Sequence, residues 1–219
     1  MLWNICANNL LWSQGQIILL FIIAVAILSY LIYRPFYYLT VLFFLFSVWF
    51  FRNPERHCPE LEYDKTAIVC PADGKIVDIQ FGDVGHGFDQ KISISLSLFD
   101  VHVNWIPVSG TVCRSMHTPG AFTIAYVPKS SELNERHDLF IKTSDGKRVM
   151  VRQIAGTIAR RICWWVHEHE TVKAGDAFGM IRFGSRVELF LPKDVTLSVG
   201  CGQLVYGGET IIGHWGAAW

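Results

Sequence analysis

The sequence predicts a mostly β domain of the barrel-sandwich or hammerhead-like kind, preceded by an amino-terminal transmembrane helical hairpin. Three observations carry that expectation. From Met1 to Phe51 the only charged side chain is Arg34, although the 219 residues include 19 basic and 19 acidic ones. Beyond His57 the chain turns to short β-branched runs, and one of them, Lys91 to Phe99 (KISISLSLF), alternates at period two. Glycine turns such as Pro-Ala-Asp-Gly at 71–74 and Val-Lys-Ala-Gly-Asp at 172–176 punctuate these runs, and no long amphipathic helix interrupts them.

The apolar segment, residues 1–56, reads as a membrane anchor of two helices. Ile17 to Tyr33 has no charge, and its 17 residues span about 26 Å as a helix, close to the thickness of a hydrocarbon core. A second run, Phe36 to Phe51, is rich in aromatics and ends at Arg52. Pro35, which has no amide proton to donate, suits the turn between them. No basic stretch precedes the first run and no small-residue cleavage site follows it, so the segment reads as retained rather than as a signal peptide. Arg52, Arg56 and Lys65 follow the second run, which by the positive-inside rule puts the rest of the chain on the cytoplasmic side of the cell (inner) membrane. Arg34 then reaches the far interface, where a long side chain can snorkel.

Residues 57–219 form the expected β-rich domain. AIVCPADGKIVDI (67–79), RVELFLP (186–192) and VTLSVG (195–200) supply strands and turns, with a short helix expected near Ser131 to Asp138. PADGKIVDI and the stretch from Glu170 to Pro192 look like the two halves of a folded hammerhead. Similar turns build lipoyl-carrier and biotin-carrier domains, so this hint fixes no function. The balanced charge gives no basic face for nucleic acid. Cys6, Cys58, Cys70, Cys113, Cys163 and Cys201 are scattered without a C-x-x-C pair and read as reduced, buried residues. His167 and His169 make only half of a metal site, so no metal is expected. Arg160 and Arg161 could meet a lipid phosphate, although adjacent residues of a strand face opposite sides.

The informative chemistry lies at Phe183-Gly184-Ser185-Arg186. A serine hydroxyl needs an oriented base to attack, and glycine before it leaves the carbonyl open and tolerates a strained backbone. Attack on Gly184 converts the amide to an ester. β-Elimination then leaves dehydroalanine, and water replaces its nitrogen to release ammonia and leave a pyruvoyl group. That group takes up a primary amine and accepts the electrons left when a carboxylate departs, so no external cofactor is required. Taken alone, Gly-Ser is also an ordinary turn.

FFRNPER (50–56), VCPADGKIV (69–77), SLFDVHVNWIPVSG (97–110), HTPGAF (117–122), NER (134–136), IAGTIARRI (154–162) and GMIRFGSRVELFLP (179–192) together resemble the phosphatidylserine decarboxylase family, most closely its shorter, membrane-associated branch. The resemblance implies pyruvoyl-dependent removal of carbon dioxide from phosphatidylserine to give phosphatidylethanolamine. It implies self-cleavage between Gly184 and Ser185, two fragments that stay associated, and a phospholipid substrate met at a membrane. It carries the pyruvoyl precursor to Ser185 and assisting roles to Asp73 and His102, consistent with carboxylate–imidazole logic. Asp73 could instead bond its own turn, and His102 could be a satisfied core histidine.

One position departs from the family pattern. Longer members carry a second histidine where this chain has Trp105, and His117 is the candidate to take over its task. His102 is then expected to serve the lipid and His117 the serine. Two other readings compete: a membrane-tethered lipoyl-like binding or adaptor domain, and a decarboxylase of a related serine lipid. The first would need a lysine at the hairpin corner or coiled-coil heptads, and the chain has neither.

Overall fold

The structure, a computed structural model, describes residues 15–121, 130–156, 161–182 and 185–216. The chain divides into two compact units that meet in sequence at Glu55 and Arg56.

The first unit holds two helices, α1 (Gln16–Ile32) and α2 (Arg34–Phe50), packed against each other. Tyr33 breaks the helix with an extended backbone (φ −154°, ψ 98°). Pro35 does not form the turn: it sits in the first turn of α2, where its missing amide proton costs nothing. Ser29 and Thr40 face each other across the pair at 3.4 Å, while their hydroxyls also bond to carbonyls of their own helices. The transmembrane hairpin is not supported, because no helix among the described residues is long and apolar enough to cross a membrane. Each has 17 residues, about 26 Å against a hydrocarbon core of about 30 Å. Large apolar side chains nevertheless remain exposed along both, including Ile17, Phe21, Leu31, Leu39, Leu42 and Leu45.

The second unit is mostly β, as expected. After a one-turn helix α3 (Glu60–Tyr63), the chain runs through β1 (Ala67–Val69), β2 (Gly74–Phe81), β3 (Gln90–Leu96), β4 (Val103–Trp105) and β5 (Gly110–Thr118). A four-residue helix α4 (Ser130–Leu133) stands where a short helix was anticipated, but the chain is strand again from Arg136. There follow β6 (Arg136–Lys142), β7 (Arg148–Ala155), β8 (Ile162–Trp164), β9 (Thr171–Val172), β10 (Ala177–Ile181), β11 (Ser185–Leu191), β12 (Val195–Leu197), β13 (Leu204–Val205) and β14 (Ile211–Trp215). Eight strands form one antiparallel sheet in the order β13-β2-β3-β11-β7-β6-β5-β9, and two three-stranded sheets have the orders β4-β10-β8 and β1-β14-β12.

The period-two pattern does what it promises on one face. Ile92, Ile94 and Leu96 of β3, Val187, Leu189 and Leu191 of β11, and Val149 and Val151 of β7 enter a single apolar core with Ile68, Phe178, Ile181 and Ile212. The opposite face differs from a solvated one. Ser93, Ser95, Arg186 and Glu188 alternate out of the core yet are buried, and Arg152 holds Asp138 through bonds of 2.6 and 2.9 Å. Buried charges persist because they are paired: Arg186 reaches Glu188 at 2.7 Å, and His86 lies 2.9 Å from the Arg152 guanidinium.

Candidate functional site

The site is assembled at one end of the large sheet, where short strands of the β4-β10-β8 sheet approach it. Ser185 is the first residue of β11 and is registered with Leu96 of β3 on one side and Ala155 of β7 on the other. Just before it in sequence, Ile181 ends β10, and its amide donates to the His102 carbonyl at 3.1 Å. The Arg182 amide donates to the Arg161 carbonyl at 3.2 Å. The few residues from Arg182 to Ser185 therefore connect two sheets, each holding its own end. Gly184, like Arg160, lies outside the described residues.

Asp73 and His102 come together next to this segment. Ala72 bridges Asn104 in antiparallel register, and Trp105 donates its amide to the Pro71 carbonyl at 2.9 Å, so the Pro-Ala-Asp-Gly turn runs beside β4. Gly74 makes the approach possible: its φ is +144°, and a Cβ there would lie 2.3 Å from the Ser95 carbonyl oxygen. Both carboxylate oxygens of Asp73 are engaged. Oδ2 accepts from Arg56 at 2.9 Å, Oδ1 accepts from the Gly207 amide at 2.7 Å, and the Val101 amide also bonds the carboxylate. Burial pushes the Asp73 carboxyl above its usual range, while the Gly207 amide and the Arg56 cation pull it back down.

His102 is fully buried. Its Nδ1 lies 2.9 Å from the Asp100 carbonyl oxygen, which can only accept, so Nδ1 carries a proton. In the neutral ring Nε2 is then the basic nitrogen. The preceding turn is pinned by the Ser97 amide, which donates to the Asp100 carboxylate at 2.7 Å. An imidazole fixed at one nitrogen and basic at the other is suited to carry a proton.

His117 lies elsewhere. It sits on β5, with β6 and β7 between its strand and β11, about 14 Å across the sheet at ordinary strand spacing. Its Nε2 is 3.1 Å from Glu135, and its ring stacks on Trp164 with centroids 5.2 Å apart. Trp164 also stacks on His137, with centroids 4.4 Å apart. His137 is buried and bonded to Ser115 and Gln153, and burial pushes it down to about 4, so it is neutral at physiological pH. Gln153 continues to Asn104 of β4, two residues after His102, at 2.7 Å. The structure thus brings Asp73, His102 and the strand of Ser185 together and leaves His117 apart. The link from His117 is indirect: the Glu135 carbonyl accepts from the Ala155 amide at 2.9 Å, and Ala155 pairs with Ser185.

Three residues were not singled out from the sequence as members of the site. Arg56, Glu135 and Arg182 all lie in the quoted motifs, and that membership was the available signal. Arg182 and Arg161 both act on the Cys163 thiol, which burial raises and these two cations lower. Trp105 is buried below the Arg56 guanidinium, which lies 5.5 Å from its ring centroid.

The profile of the family described as phosphatidylserine decarboxylase matches residues 43–213. The phosphatidylserine decarboxylase proenzyme of Syntrophus aciditrophicus is 50% identical over 173 residues, covering 77% of this chain and 79% of that protein. The proenzyme of the same name from Desulfotalea psychrophila is 44% identical over 182 residues, covering 80% and 84%. That of Ehrlichia chaffeensis is 41% identical over 220 residues, covering 98% of this chain and 94% of its own length.

Proposed function

The chain belongs to the phosphatidylserine decarboxylase family, and on that premise we propose that Ser185 is the residue from which its reactive carbonyl is made. The protein is a phosphatidylserine decarboxylase made as a proenzyme. Cleavage falls between Gly184 and Ser185, and the new amino-terminus of the small fragment becomes a pyruvoyl group. The observation that carries this reading is the support on both sides of the bond. Ile181 and Arg182 are held by His102 and Arg161, whereas β11 is paired along its length with β3 and β7. Breaking the connection leaves Ile181 and Arg182 on one side and β11 on the other with their main-chain bonds. The small fragment would supply β11 through β14, including a central strand of the large sheet and two of the three strands of the β1-β14-β12 sheet. The two fragments therefore stay together by hydrogen bonding and core packing.

When formed, the pyruvoyl group supplies a ketone that binds the headgroup amine and withdraws the electrons left as carbon dioxide departs. The chain's own residues do the rest. His102, with Nδ1 committed to the Asp100 carbonyl, presents Nε2 as the proton carrier. Asp73 holds the main chain at Val101 that leads into it. His117 takes a positioning role in forming the group, through Glu135 and Ala155. Sodium borohydride tests the carbonyl directly: it should add two hydrogens to the small fragment and abolish phosphatidylethanolamine formation. Full activity after reduction would exclude the pyruvoyl reading.

The same proposal puts the protein at the cytoplasmic surface of the cell membrane. Support comes from the apolar side chains exposed on α1 and α2, from Arg52, Arg56 and Lys65 after them, and from the lipid nature of the substrate. Protease added to intact cells should spare the β unit, and protease added to inside-out vesicles should digest it; digestion in intact cells would refute this location.

A further inference from the structure

Arg56 is the first residue of the β unit and is nearly buried, with its side chain 11% exposed. Its guanidinium forks between two carboxylates, Asp73 at 2.9 Å and Glu209 at 2.5 Å. It lies between two rings, 5.5 Å from the Trp105 centroid and 5.9 Å from that of Tyr206. The 206–208 turn closes against the same tryptophan so tightly that a Cβ on Gly207 would lie 2.2 Å from the ring. The Gly207 amide is one of the donors to Asp73, so ring, turn, cation and carboxylate form one packed assembly. Its outlet toward the reaction is the Val101 amide, which bonds Asp73 and immediately precedes His102.

We infer that Arg56 is a positioning residue for decarboxylation: laid over Trp105, it holds the Asp73 carboxylate where that carboxylate fixes the main chain leading into His102. A lone buried carboxylate would favour its protonated form and give up its hold on the amides. The cation draws the Asp73 carboxyl back toward its charged form against the effect of burial, and the planar fork keeps it in place. The inference rests on the reading of His102 given above. It makes Arg56 part of the support for the imidazole, without contact with the lipid.

The groups that face Asp73 set the sign of the pH effect. They are Arg56, Asp100 of the turn before His102, Glu209 across the guanidinium, and Cys70, whose thiol burial pushes up to about 12 and so keeps neutral. Removing the Arg56 cation leaves burial and the Asp100 charge, both of which raise Asp73. Activity that needs ionised Asp73 must then fail at a higher pH.

The test is the pH dependence of kcat for full-length, self-cleaved protein, with the cut fraction measured on a gel. In Arg56→Gln the acid limb should move up by roughly one pH unit, with a larger loss of kcat at pH 6 than at pH 8 and little change in KM. Arg56→Lys keeps the charge and loses the fork, so its limb should lie near the wild-type position at a reduced kcat. A wild-type limb and kcat in Arg56→Gln would overturn the inference, as would the same limb shift in Lys and Gln. If the glutamine variant does not fold, the lysine variant decides alone: undiminished kcat overturns the role. Wild-type protein that neither cuts nor decarboxylates would instead refute the functional reading.

Discussion

Ser185→Ala is expected to leave the chain whole and without decarboxylase activity, whereas the wild-type protein is expected to separate into residues 1–184 and 185–219. The effect is complete because one hydroxyl performs two tasks. Its oxygen adds to the Gly184 carbonyl and replaces the amide nitrogen, giving an ester and a free amine on residue 185. Loss of the α-proton then expels the Gly184 carboxylate from the β-carbon, and water displaces the nitrogen as ammonia. Alanine has no oxygen to start the sequence and no leaving group to finish it. Intact mass spectrometry checks both halves. The small wild-type fragment should be lighter by one ammonia than its encoded sequence, and the alanine variant should have the full encoded mass. The substitution should not unfold the protein, since residue 185 is held by main-chain pairing to Leu96 and Ala155, which alanine can keep. Fragments of wild-type size from Ser185→Ala would exclude the serine as the attacking group.

The strands that build this end of the molecule were legible because their partners lie in a regular ladder. KISISLSLF announced a strand, and its isoleucines enter the core as period two requires. What the pattern could not announce was the burial of Ser93 and Ser95, because alternation says which residues share a face and not whether that face meets water. The charged alternation Arg186, Glu188 in β11 has the same outcome, and the pairing of those charges accounts for it. In the apolar segment, hydropathy located both helices but misplaced the break. The sequence drew attention to Pro35, while the break fell at Tyr33; the helices, 17 residues each, are about as long as the two apolar runs, and that length itself is too short to cross. Long-range partnership was the least visible feature. Arg56 meets Asp73 at 17 residues' separation and Glu209 at 153, and Gln153 meets Asn104 at 49. No local period encodes such distances, so Arg56 read only as part of the basic flank after the apolar segment. The location of His117 was hidden for the same reason: Trp105 left a task to assign, but strand order, which sequence does not give, set β6 and β7 between His117 and β11.

His102→Ala is expected to lower phosphatidylethanolamine production by roughly a hundredfold to ten-thousandfold, the usual worth of a positioned proton donor, while still forming both fragments. The main-chain bond from the Ile181 amide ends on the carbonyl of residue 102, which alanine retains, so the segment before Ser185 keeps its support. The Asp73 clasp on Val101 is also main chain and survives. What disappears is Nε2, the nitrogen left basic when Nδ1 donates to the Asp100 carbonyl. Departure of carbon dioxide leaves a carbanion-like centre on the lipid that must be protonated, and without the imidazole that proton has to come from an unpositioned donor such as water. His117→Ala provides the contrast. It removes an imidazole three strands away whose bond is to Glu135, so it should slow fragment formation while protein already cut decarboxylates at close to the normal rate. A gel and a lipid product assay on the same preparations separate the cases. An uncut His102→Ala would assign that imidazole to the serine, and a fully active one would make it a core histidine.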